Sequence, residues 1–299
     1  MKRFFAKLML FGEYSVISGS DALTIPYRRY SGVLKFSQSA ADKEKVKQSN
    51  TVLNAYYPYL QSLKSLHLLN FNFTRFQHDI RNGLWFDADI PPNYGLGSSG
   101  ALVAAVMDEY ARSIAQLKGD EMLAVLAEAE SFFHGKSSGT DPLSCFVGQP
   151  LIVRRDRPVV LSANALNANL KKYRLFDTGK PAATGELVKS FLKLLKSIPE
   201  SEFRTYIKSV NRAVDAIQHE DSSLLAGTMQ YISEFQYTHF TEMIPAALRQ
   251  IWEKGLESGE YYFKLCGSGG GGFFLVYFPS DFAAQGLFSG SRLIPIVNG

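Results

Sequence analysis

The 299-residue sequence is poor in several features, and each shortage narrows what the protein can be. It has two cysteines, Cys145 and Cys266. Two are too few for a disulfide framework or a cysteine-rich zinc site, and the simplest compartment for such a chain is the reducing cytoplasm. No stretch reaches the roughly 18 uninterrupted apolar residues of a membrane span. The opening MKRFFAKLMLFGEY superficially resembles a secretory leader, but Lys7 interrupts its apolar stretch, Glu13 closes it, and no small-residue cleavage site follows. Runs of like charge are absent and the formal net charge is only +4, so neither nucleic acid nor membrane is expected as a partner. There is no internal repeat and no G-X-Y period, which excludes collagen. With 46% hydrophobic residues, the chain is also too apolar for disorder.

What is present is an ordinary globular composition long enough for two domains at about 150 residues each. The 24 glycines are informative through their grouping. Many fall in 95-GLGSSG-100, 135-GKSSG-139 and 267-GSGGGG-272.

Hydrophobic patterning places a strand over residues 4–11, ended by Gly12, and another over 30–37. Residues 42–65 read as helical, with Pro58 interrupting or bounding the helix. Residues 66–76 alternate as a strand would, and 78–90 resemble a hairpin. From Ser99 the apolar spacing becomes helical. A second helix is expected from Asp120, as N-cap, to about Phe133. Strands return within 149–177. Four amphipathic helices follow residue 184, and two apolar strands flank the last glycine loop. Strands first and helices later indicate α+β, in two lobes meeting near residue 180.

In the first cluster, a Gly/Ser turn opens directly into an apolar helix. Free N–H groups and the positive end of the helix dipole suit a phosphate there, although a plain N-cap explains the turn equally well. Gly95, Gly97 and Gly100 formally match G-x-G-x-x-G, but Pro91-Pro92 stand where a dinucleotide-binding turn needs a buried strand. Gly135-Lys136-Ser137 looks like the end of a P-loop, but Glu130 stands where that motif needs glycine. Glu130 near a helix end and Asp141 on the returning loop could converge, one for a metal and one for a proton. They could equally be solvated. The third glycine cluster suits either close approach to a ligand or a wide hairpin turn. Lys7, inside an apolar strand, needs a partner or a nearby surface. Beside an aspartate in a cleft it would favour the ionised carboxylate.

Together these segments resemble the three motifs of the galactose/homoserine/mevalonate/phosphomevalonate (GHMP) kinase superfamily. The motifs are 6-AKLMLFGEYSVISG-19, 91-PPNYGLGSSGA-101 and 264-KLCGSGGGGFF-274. Within the superfamily the chain is most similar to the mevalonate kinase family, through 134-HGKSSGTD-141, the upstream Glu130 and 176-FDTGKPAATGELV-188.

The resemblance implies a two-domain α+β fold. Residues 1–180 would form a ribosomal S5-like, ATP-binding N-terminal domain, and residues 181–299 a helix-rich α/β sandwich. It implies an ATP- and Mg²⁺-dependent kinase that phosphorylates a hydroxyl, most simply that of mevalonate in isoprenoid biosynthesis. Asp141 would be the catalytic carboxylate and Lys7 its partner. Gly95, Leu96, Gly97, Ser98, Ser99 and Gly100 would wrap the ATP phosphates, with Ser99 and Glu130 holding Mg²⁺. Glu13, Tyr14, Gly269 and Gly270 would lie at the substrate.

Three departures bear on this reading. Phe5-Ala6 stand where the family has Pro-Gly. Thr140 and Pro142 flank Asp141, where Ile or Val and Asn are commoner. Tyr14 replaces the histidine of Gly-Glu-His, which is reminiscent of phosphomevalonate kinases and keeps a phosphomevalonate or sugar acceptor open. Arg28 and Arg29 could then meet the extra phosphate. A non-catalytic nucleotide or metabolite sensor is the reading from another class. The expected partners are ATP and a small-molecule substrate. No motif sets the oligomeric state, and a homodimer is carried as an expectation.

Overall fold

A computed structural model describes residues 1–36, 43–162, 166–182, 184–280 and 293–296. The chain begins with β1 (Arg3–Phe11), whose residues are almost all buried from Ala6 onward because later helices cover it. Gly12, at φ 104°, turns the chain, and a 3₁₀ turn at Ser15–Ser18 leads into β2 (Ala22–Phe36). The sequence suggests only the second half of this 15-residue strand. Pro26 obscures the first half, because proline cannot donate to a sheet ladder. It is tolerated because it lies opposite Lys7 of β1, in a stretch of β2 without a second partner. On its other edge β2 pairs only at Ala22–Thr24 and again at Gly32–Phe36.

Next come α1 (Lys43–Ser62), α2 (Lys64–Leu68), α3 (Phe73–Arg81) and β3 (Leu84–Ala88). Here three expectations change. Pro58 sits inside α1 and neither bounds nor interrupts it. The segment 66–76, expected as a strand, forms the end of α2 and the start of α3. The Asn72 side chain caps α3 by accepting from the Arg75 N–H, and Phe76 and Ile80 share the buried side. The region read as a hairpin is therefore the end of α3 followed by β3.

Helix α4 (Ser98–Tyr110) runs through the middle of this half and is buried from Gly100 to Met107. Helix α5 (Gly119–His134) starts one residue before Asp120, the expected N-cap. Lys118 is its N-cap, with the Glu121 carboxylate reaching back to the Lys118 N–H at 3.0 Å, and Asp120 lies inside the first turn. Helix α6 (Thr140–Val147) and the hairpin of β4 (Leu151–Arg154) and β5 (Arg157–Val160) complete an antiparallel five-stranded sheet. Its order is β1-β2-β4-β5, with β3 also on β2.

After α7 (Asn167–Leu170), the chain enters a second sheet with β6 (Tyr173–Asp177). Four helices follow: α8 (Thr184–Leu194), α9 (Glu200–Gln218), α10 (Ser222–His239) and α11 (Ala246–Ser258). The strands β7 (Tyr262–Leu265), β8 (Phe273–Tyr277) and β9 (Leu293–Pro295) close the antiparallel order β7-β8-β6-β9. The two sheets part between β5 and β6, so β6 belongs to the second sheet although it precedes residue 180. No helix among the described residues is long and apolar enough to cross a membrane.

Candidate active site

Lys7 leaves β1 toward the start of α4. Its side chain is only 2% exposed, and its Nζ lies 2.9 Å from Asp141 Oδ1. Burial alone would lower the lysine pKa, but the charge and hydrogen bond of Asp141 outweigh it and the net shift is upward. Lys7 therefore stays an ammonium. The Asp141 side chain keeps 28% of its surface exposed.

Glycines make this pairing possible. Gly97 caps α4 at φ 71°, and a Cβ there would lie 2.9 Å from the Lys7 side chain. A Cβ on Gly100 would meet the Asp141 backbone at 2.9 Å. Small residues at the start of α4 thus let the α6 N-terminus, with Asp141 in its first turn, approach β1. The neighbouring Leu96 side chain is buried, and its carbonyl accepts from the Lys7 N–H at 3.0 Å.

Glu130 is the second carboxylate. Ser99 Oγ donates to its Oε1 at 3.1 Å, and Ser137 Oγ to its Oε2 at 2.5 Å. Burial, and then the charge of Asp141, push its pKa up to about 7. His134 Nε2 lies 3.0 Å from Ser99 Oγ. Since the serine gives its one proton to Glu130, His134 is the donor to the serine. Burial also lowers the His134 pKa, which favours the neutral imidazole.

A cavity of about 120 Å³ opens among these groups, bounded by the Asn93–Ser99 turn, Lys7, Asp141, His134 and the first residues of the third glycine loop. That loop closes against the first one, where a Cβ on Gly267 would meet Gly95 Cα at 2.9 Å. Thr178, in the segment after β6, fastens the loop's far end by donating from Oγ1 to the Gly272 carbonyl at 2.8 Å.

The structure brings together Lys7, Gly95–Gly100, Glu130 and Asp141. It places the four expected substrate residues differently. Glu13 does not face the cavity: Lys264 Nζ holds its Oε1 at 2.5 Å in a buried pair. Tyr14 stacks on Phe191, with ring centroids 4.5 Å apart, and donates its hydroxyl to the Ser268 carbonyl at 2.7 Å. Gly269 and Gly270 pack against Met243 and Leu187, while Gly267 and Ser268 line the cavity. Arg28 and Arg29 lie over the Phe5 and Tyr30 rings and line no part of it. Sequence reasoning quoted His134 and Ser137 within a motif but gave them no contact. Their hydrogen-bonding side chains four and seven residues after Glu130 are the signal that was available.

Comparisons with known proteins bear on the family and the fold. Residues 52–149, which carry the first glycine turn, Glu130 and Asp141, match the sequence profile of the GHMP kinases N terminal domain. Over that segment the chain is similar to the GHMP kinases. Among its relatives is the mevalonate kinase of Aeropyrum pernix, 27% identical over 236 residues. That match covers 72% of this chain and 66% of the relative, just under two-thirds of the relative's length. The fold is shared with the Methanococcus jannaschii mevalonate kinase (TM-score 0.61, 19% identity, 96% of this chain and 92% of that one). It is shared equally with the Streptococcus pneumoniae phosphomevalonate kinase (TM-score 0.60, 14% identity, 96% and 94%). Such likeness fixes the architecture and does not choose between acceptors.

Proposed function

We propose that this chain is an ATP-dependent small-molecule kinase that transfers the γ-phosphoryl group to the hydroxyl of mevalonate, giving 5-phosphomevalonate. The observation that carries the reading is the Lys7–Asp141 pair at the mouth of a glycine-walled cavity, with the Ser99–Glu130 pair beside it. Phosphoryl transfer needs alignment and charge stabilisation more than covalent chemistry from the protein. The N–H groups of the first turn of α4 have no acceptors within the helix and suit the phosphates of ATP.

The donor set fits Mg²⁺. Glu130 is a buried carboxylate with both oxygens held by neutral hydroxyls and no cationic side chain in ion-pair contact among the described residues. Its raised pKa comes first from burial and then from the charge of Asp141. Ser99 and Glu130 would hold the ion, which when bound neutralises phosphate charge. The substrate hydroxyl would donate to the Asp141 oxygen that Lys7 does not occupy, and that oxygen would accept its proton as the new bond forms. Lys7 would hold the other oxygen in place.

In this reading residues 1–180 supply the ATP site and residues 181–299 close the cleft. Purified protein with ATP and Mg²⁺ should release ADP only when mevalonate is added. Turnover with another alcohol, and none with mevalonate, would overturn the acceptor. Phosphomevalonate is the second reading. It is favoured by Tyr14, whose hydroxyl is committed to Ser268 where the mevalonate kinase family carries a histidine. ATP binding without turnover on any acceptor would instead indicate a sensor.

A further inference from the structure

A larger cavity, about 670 Å³, lies away from the cleft where the β4–β5 hairpin faces the start of β2 and α9. Its size is within the range of small-molecule sites, roughly 300–1,000 Å³. Asp21, Arg154, Arg155, Arg157, Val159 and Asn211 line it. None of them takes part in the phosphoryl-transfer site.

The floor is prearranged. Arg154 is committed to two carboxylates: its Nε lies 2.9 Å from Asp21 Oδ2, and its Nη2 pairs with Asp215. The Asp21 N–H donates to Asn211 Oδ1 at 2.8 Å, which orients that amide and leaves its Nδ2 hydrogens without an acceptor among the described residues. Above the floor, Arg155 and Arg157 are exposed and make no ion pair with any described residue. Asp156, between them in sequence, is not part of the cavity wall.

The hairpin turn adds an independent observation. Arg155 and Asp156 adopt φ values of 47° and 60°, the left-handed pair of a two-residue hairpin that favours Asn-Gly. An arginine is a poor choice for that backbone, and the turn alone gives no reason for it. A ligand held by its side chain would give one.

We propose that this cavity binds a phosphorylated organic metabolite. Arg155 and Arg157 supply two uncommitted positive charges, which match a phosphate dianion, and their planar donor pairs match its oxygens. Asn211 adds a neutral donor. Val159 offers an apolar surface for the organic part. The ligand would touch both the hairpin of the first sheet and α9 of the second half.

The test is calorimetric titration with phenyl phosphate, with phenyl sulfate as the monoanionic control. The catalytic cleft is first saturated with Mg²⁺ and a non-hydrolysable ATP analogue. Phenyl phosphate should bind saturably, and more tightly than phenyl sulfate. Arg155→Gln and Arg157→Gln should each weaken it about tenfold, as expected for loss of one charge-assisted contact. Both side chains are exposed, so the variants should fold. The proposal is overturned if phenyl phosphate does not bind, if the ATP analogue abolishes binding, or if the double variant binds as well as wild type. Because the two sites share no residue, failure of the kinase assay leaves this test intact.

Discussion

Two buried lysine–carboxylate pairs can be compared in this molecule, and they do different things. Lys7 and Lys264 are equally enclosed, at 2% and 1% side-chain exposure. Their partners differ: Asp141 is 28% exposed at the cavity, whereas Glu13 is 2% exposed. Lys264 also donates to the Leu265 carbonyl at 2.6 Å, so its head is enclosed by polar groups on the protein side. Burial raises the Glu13 pKa even though Lys264 opposes the shift. The sealed pair joins the end of β1 to β7 of the second sheet, while the open pair presents a free carboxylate oxygen to solvent. Under the proposed function, the exposure of the carboxylate, not the presence of an ion pair, separates a reacting group from a clamp.

The largest expected effect is on the open pair. Asp141→Asn should lower kcat by about 10⁴-fold, the upper range for a positioned proton acceptor, with little change in urea-unfolding stability. An active Asn variant would remove Asp141 from its role. The sealed pair should behave in the opposite way. Glu13→Gln leaves Lys264 buried beside a neutral partner and should cost about 3 kcal/mol of unfolding free energy. Replacing both residues, as Glu13→Leu with Lys264→Met, should recover much of that loss. If Glu13→Gln keeps its stability but loses turnover, Glu13 is a substrate residue and the clamp reading fails.

Glu130 tests the same distinction through pH. Its folded pKa of about 7 exceeds the ordinary 4.5, so the folded state binds its proton more tightly than the unfolded chain does. The resulting stability is complete below pH 4.5 and is lost as pH rises through about 7. The total is about 3 kcal/mol. Urea unfolding without nucleotide or divalent cation should show that slope, and Glu130→Gln should flatten it. Tyr14→Phe should have the smallest effect, about 1 kcal/mol for the lost bond to the Ser268 carbonyl. A larger loss of mevalonate turnover than of stability would return Tyr14 to the substrate site.

Much of the fold was legible because local pattern and tertiary environment agreed. β1 is buried on both faces and reads as an apolar run, and α4 reads as a helix from its Gly/Ser start. Reading failed where a local signal was ambiguous. The phenylalanines of 71-FNFTRF-76 alternate like a strand, yet Asn72 starts a helix there. Pro58 signalled a break, although α1 continues through it. The Glu13–Lys264 pair could not be read, since 251 residues separate its partners and the motifs that hold them say nothing of their pairing.

The sequence by itself determined the chemistry available: the glycine turns, a lysine in an apolar strand, and a serine and two carboxylates in recognisable strings. It also carried the resemblance to the GHMP kinases, because those strings keep their order and spacing. Only the tertiary structure decided which charges face the cavity. It paired Lys7 with Asp141 through the space left by Gly97 and Gly100, turned Glu13 inward to Lys264, and committed the Tyr14 hydroxyl to Ser268. The physical reason is that burial and charge pairing are properties of three-dimensional neighbours, and in this chain those neighbours come from segments far apart in sequence.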